Sequence, residues 1–83
     1  MPVDRPLSEI ATEIANDWTA LRGAAQPYID AMGELRSAND RCGFETGSDM
    51  IQGFLINAQT WRGPVARRVK LELKAILKKY PVR

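Results

Sequence analysis

Apolar residues recur at helical spacing in four stretches of this chain, and no stretch alternates strictly between apolar and polar. Leu7, Ile10, Ile14, Trp18 and Leu21 follow one another at steps of 3, 4, 4 and 3. At about 100° per residue these positions share one side of an α-helix. Ser8 reads as the N-cap of that helix, Glu9 and Glu13 suit its positive end, and Gly23 reads as its stop. Pro27 falls in the first turn of a second helix whose inner face carries Tyr28, Ala31, Met32 and Leu35. That helix fades through Ser37, Ala38 and Asn39, because Ser and Asn compete with the backbone for hydrogen bonds. Arg41 to Gly47 is the main break in the chain, and Phe44, between two glycines, is expected to tuck into the core. Ser48 is then expected to cap a third helix, with Asp49 at its first position. Met50, Ile51, Phe54, Leu55, Ala58 and Trp61 form the apolar face of this helix. Gly53 in its middle costs about 1 kcal/mol against Ala, which a close helix–helix approach would justify.

The fourth stretch organises the rest. Gly63-Pro64 is a start signal, since Pro at a first helical position loses no needed N–H. Val65, Val69, Leu73, Ile76 and Tyr80 share one face, with Ala66 and Leu77 at its edge, and Pro81 ends the helix. Arg67, Lys70, Lys74 and Lys78 fall on the neighbouring arc. Leu71 points away from the apolar stripe, among the cations. It reads either as an ordinary exposed leucine or as a contact point for a second chain. The Trp61-Arg62-Gly63 corner between the third and fourth helices reads as a fold-defining joint, with Arg62 stacking on the indole or binding Asp17. The expected fold is therefore all-α, a compact bundle of four amphipathic helices with a long basic C-terminal helix. One domain spans residues 1–83, with 1–5 as a loose N-terminal arm.

Charge sharpens this picture. Residues 62–83 hold eight Lys or Arg and one acid, a net of +7, whereas the first 61 residues hold four cations and nine acids, a net of −5. The total of +2 hides this division. Histidine is absent, so the usual proton carrier near neutral pH and the commonest metal ligand are missing. The one cysteine, Cys42, forms neither an internal disulfide nor a zinc site, and it fits a reducing cytoplasm. Gly43 and Gly47 lack the lysine and strand of a phosphate loop. Acids such as Asp17, Asp30, Glu34 and Asp40 read as solvated charge rather than acid/base machinery. No enzyme activity, cofactor, metal or small-molecule substrate is expected. No apolar run approaches the roughly 18 residues of a membrane span, and the opening MPVDRPLSE lacks the apolar stretch of a signal peptide.

Several motifs carry a resemblance. Pro6-Leu7-x-x-Ile10-Ala11-x-x-Ile14-x-x-Asp17-Trp18 leads to Pro27-Tyr28-x-x-Ala31-Met32 and then to Phe54-Leu55-x-Asn57-Ala58. The ending Trp61-Arg62-Gly63-x-x-Ala66-Arg67-Arg68-x-Lys70-x-Glu72-Leu73-Lys74 is the most specific of them. The pattern resembles short helical proteins of unassigned function encoded by bacteriophages, prophages and other bacterial mobile elements, over nearly the whole chain. The resemblance implies a bacterial mobile-element origin.

The expected function is a non-enzymatic protein-binding module, an adaptor or modulator of a host protein or a homodimer, located in the bacterial cytoplasm. Its docking face is the basic last helix, with Arg67, Arg68, Lys70, Leu71, Lys74 and Lys78 as contacts. The alternative is DNA binding, in which the third and fourth helices form a helix-turn-helix-like pair and the same cations meet phosphates or bases. Val65 and Ala66 at the start of that helix are poor base readers, and the acidic remainder would repel a duplex. Attachment to a membrane surface is a third reading, opposed by the need for the helix's apolar face in the core.

Overall fold

Each of the four stripes forms an α-helix in a computed structural model, which describes residues 4–82. Helix α1 spans Leu7–Asp17, α2 Gln26–Met32, α3 Gly47–Asn57 and α4 Pro64–Lys79. A 3₁₀ turn, Gly23–Ala25, leads into α2, and a two-residue antiparallel hairpin, β1 Arg41–Cys42 with β2 Glu45–Thr46, precedes α3. The fold is thus an all-α bundle with one small hairpin. In order around the bundle, α1 packs on α2, α2 on α3, α3 on α4 and α4 back on α1. The Cα radius of gyration is 11.6 Å.

The helical stripes meet in a single core. Leu7, Ile10, Ile14, Met32, Ile51, Phe54, Val69 and Leu73 are its largest fully buried side chains. Each such side chain contributes roughly 1.5–3 kcal/mol by leaving water. Trp18 and Trp61 stack with centroids 5.8 Å apart, and Phe54 meets each edge-on, at 6.4 Å and 6.0 Å. These three rings tie the end of α1, the body of α3 and the corner before α4 into one cluster.

The segment 33–40, expected as a fraying helix, is a tight loop that caps two other helices. The N–H groups of Leu7 and Ser8 donate to the carbonyls of Arg36 and Leu35, both at 2.9 Å. Ser8 therefore lies inside α1, whose first orphan donors meet backbone carbonyls rather than a side-chain cap. Gly47 and Ser48 donate their N–H groups to the carbonyls of Asp40 and Ala38. Any Cβ at Gly47 would run into the Ser37 carbonyl and the Ala38 backbone, so the close approach demands glycine.

Helix α3 begins two residues earlier than expected. Thr46 is its N-cap, and the Thr46 hydroxyl and Asp49 carboxylate form a reciprocal capping box. Ser48 is instead buried, and its hydroxyl donates to the Tyr80 carbonyl at 2.6 Å, fastening the end of α4 to the start of α3. Gly53 is required by a close approach: the Tyr28 ring occupies the space its Cβ would take.

Expectations for two apolar side chains, one glycine and the chain start are corrected. Phe44 is fully exposed at the hairpin tip, because the tight Gly43 turn (φ +68°) carries it away from the core. Leu21 is 98% exposed, because α1 ends at Asp17 and the helical spacing ceases to apply beyond it. Gly23 is thus not the stop of α1 but the start of the 3₁₀ turn. For the expected loose arm, residues 1–3 lie outside the described residues, while Asp4 and Arg5 are engaged by side chains of α1 and α4.

Candidate functional site

Helix α4 buries Ala66, Val69, Leu73 and Ile76, and half a turn from that midline stands Leu71, 63% exposed. Arg67, Leu71, Lys74 and Lys78 follow at steps of 4, 3 and 4 and form one outward stripe, with exposed Ala75 beside it. The helix starts where the sequence places it. Gly63 holds φ +117° with ψ 179°, a conformation open essentially to glycine alone, and Pro64 occupies the first turn.

The cations of α4 divide into two flanks. On the flank facing α1, acids from elsewhere in the chain neutralise them. Arg68 pairs with Glu13, and Lys79 approaches Asp4 at 3.2 Å. Arg5 bridges Glu72 at 2.7 Å and Glu13 at 2.8 Å and approaches Glu9 at 3.9 Å, so two arginines and three glutamates form one network across α1, α4 and the chain start. The hydrogen bond from Arg68, followed by that from Arg5, holds the Glu13 carboxyl below its usual range. Pairing with Glu72, ahead of Glu13, raises Arg5 further above its already high value.

The outward flank keeps its charge. Among the described residues, Arg62, Arg67, Lys74 and Lys78 form no ion pair. Arg67, Lys74 and Lys78 are exposed, as is Arg62 at the corner. Lys70 behaves differently. It is half-buried, donates from Nζ to the Trp61 carbonyl at 2.6 Å, and sits 5.9 Å from the Trp61 ring centroid. Burial, and then the nearby charges of Lys74 and Arg62, depress its pKa. The influence of Lys74 and Arg62 on Lys70 places these three groups in one positive field.

The joint is built differently from the reading of Arg62. The group that bonds Asp17 is the Trp61 indole N–H, at 2.9 Å, and the cation beside the indole is Lys70. Arg62 makes neither contact because the chain turns it outward, where it adds to the positive surface. A cleft of about 290 Å³ lies here, lined by Trp61, Arg62, Gly63, Ala66, Arg67 and Lys70.

Of the six expected contact residues, Arg67, Leu71, Lys74 and Lys78 therefore share an exposed face. Arg68 is committed to Glu13 and Lys70 to the corner. Sequence reading also missed Arg22, which donates to the carbonyls of Ala15 and Trp18 and closes the end of α1. Its position shortly after a helix end was the available signal, since cations suit that end of the macrodipole. Clefts of about 260 and 590 Å³ flank the far end of α4, and Lys79 and Tyr80 line both. Among the described residues, no group of three or more His, Cys, Asp or Glu side chains could hold a metal ion, and no helix is long and apolar enough to cross a membrane. Comparison with protein-family models, with curated proteins and with solved structures finds no match for this chain.

Proposed function

We propose that the protein is a non-catalytic docking module whose outward α4 face binds an acidic partner protein. The observation that supports this reading is the exposed Leu71 at the centre of cations that no in-chain acid neutralises among the described residues. A solvated charge run has no need of a leucine at its midline, whereas a protein contact gains affinity from an apolar anchor ringed by polar groups. The flanking cations steer an acidic surface onto it and set its orientation. The same apolar centre weighs against duplex DNA, whose phosphates reward cations alone. A bacterial mobile-element origin and residence in a reducing cytoplasm complete the proposal, resting on the sequence resemblance and on the lone cysteine.

NMR titration of the labelled protein with three probes tests this. One probe is a helical peptide with a leucine ridge flanked by glutamates, one is polyglutamate of equal charge, and one is a random DNA duplex. The leucine-ridged peptide is expected to bind most tightly and to shift resonances of Arg67, Leu71, Lys74 and Lys78. Equal binding of polyglutamate reduces the site to bare charge. Tighter binding of the duplex, lost steeply as salt rises, transfers the site to nucleic acid.

A further inference from the structure

A second surface of the same chain is complementary to the α4 face. Between α1 and α2 runs a shallow open groove of about 530 Å³ with Ala11, Ala15 and Gly33 among its lining residues. Thr12, Asp30 and Glu34, all exposed, line it as well. Neither Asp30 nor Glu34 makes an ion pair among the described residues, and both are exposed. Small side chains leave room for a bulky one, and the two acids lie four positions apart along the chain. On the α4 face, Lys74 and Lys78 show the same four-residue step beside Leu71. Lys74 and Lys78 lie one helical turn apart on α4, about 5–6 Å from each other, and Asp30 at the end of α2 with Glu34 in the turn that follows it offers the opposite charge.

The two surfaces cannot meet within one molecule. Glu13 leaves one flank of α1 to pair with Arg68 of α4, whereas Ala11, Thr12 and Ala15 lie on the opposite flank, toward α2. We infer that the occupant of the α1–α2 groove is the α4 face of a second copy of this chain. In that contact Leu71 sits over Ala11 and Ala15, and Lys74 and Lys78 face Asp30 and Glu34. This rests on the α4 docking proposed above and names its partner. Because the joined surfaces differ, the contact is heterologous, and each added copy presents a fresh face and a fresh groove. Association then grows beyond a dimer with concentration unless the rotation closes a ring.

Sedimentation equilibrium of the full chain at low salt, from micromolar to millimolar concentration, provides the test, with Lys74→Glu and Glu34→Lys as variants. The first spoils the face and keeps the groove, and the second does the reverse; both positions are exposed, so folding is checked by an unchanged melting transition. The wild-type mass is expected to rise with concentration. Each variant alone is expected to associate at least about tenfold more weakly, because like charges then oppose each other. Mixed in equal amounts, the two variants are expected to form a 1:1 pair that grows no further, since each supplies the surface the other lacks. A wild-type protein that stays monomeric throughout overturns the inference, as does a mixture that shows no pairing. If the leucine-ridged acidic peptide still binds α4 in that case, the docking face survives with another partner; if it does not, both proposals fall.

Discussion

The indole N–H of Trp61 donates to the Asp17 carboxylate at 2.9 Å, joining residues 44 positions apart. This bond fixes the corner before α4 to the end of α1 while Trp61 stacks on Trp18. Trp61 is buried, so removing its acceptor leaves a desolvated donor unpaired. Asp17→Ala is expected to cost about 1 kcal/mol in urea unfolding followed by tryptophan fluorescence, and Asp17→Asn, which keeps an acceptor, less than half of that. Equal loss in the two variants contradicts the role of the bond.

Gly53 of α3 lies directly against the Tyr28 ring of α2, and the pair sets two effects against each other. Alanine is the better helix former by about 1 kcal/mol, but its methyl group would enter the Tyr28 ring. Overpacking costs roughly 1–3 kcal/mol, so the steric term wins. Gly53→Ala is expected to lower stability in the wild type and to raise it once Tyr28 is replaced by Ala. A cycle of the four proteins in thermal unfolding measures this, and a Gly53→Ala penalty that persists without the ring refutes the contact.

Gly63 stands at φ +117°, where a side chain is strained whatever the space around it, and nothing lies within 4 Å of a Cβ built there. Gly63→Ala is therefore expected to cost about 1–3 kcal/mol through the backbone alone. A melting temperature equal to that of the wild type would show that the corner relaxes without penalty.

The Glu13 carboxyl titrates below its ordinary 4.5 in the folded state because Arg68 and Arg5 hold it ionised. For a group whose folded pKa is depressed, the stabilisation is complete above the unfolded value and vanishes as pH falls through the folded one. Glu13→Gln is thus expected to be less stable than the wild type near neutral pH, by about 1 kcal/mol or less given solvent screening. The gap should close below pH 4.5. A gap independent of pH across that range rules out the charge network as its origin.

Most of the core was legible in the sequence, because burial on one side of a helix imposes its period directly. Val69, Leu73 and Ile76 of α4 and Leu7, Ile10 and Ile14 of α1 lie where their spacing put them. The pattern fails at Leu21, where the spacing runs on after the helix has ended, and at Phe44, where a tight turn outranks hydrophobicity. The cap of α3 was also readable, since Thr46 and Asp49 stand at the spacing of a capping box, whereas the residue three beyond Ser48 is Ile51, which cannot complete one. The charge pattern of α4 was only half legible. Its outward stripe follows from helical geometry, but the loss of Arg68 and Lys79 to Glu13 and Asp4 depends on α1 lying beside α4. No local signal encodes that placement.

The value of Leu71 decides whether the α4 face is a docking surface or merely a hydrated one. Because Leu71 is 63% exposed, Leu71→Ser is expected to change stability by no more than about 0.5 kcal/mol. Calorimetric titration of wild type and Leu71→Ser with the leucine-ridged acidic peptide is the direct measurement. The expected result is an affinity at least about tenfold lower for Leu71→Ser, with an unchanged melting temperature, as for loss of a central apolar anchor. Equal affinities would contradict docking through this face.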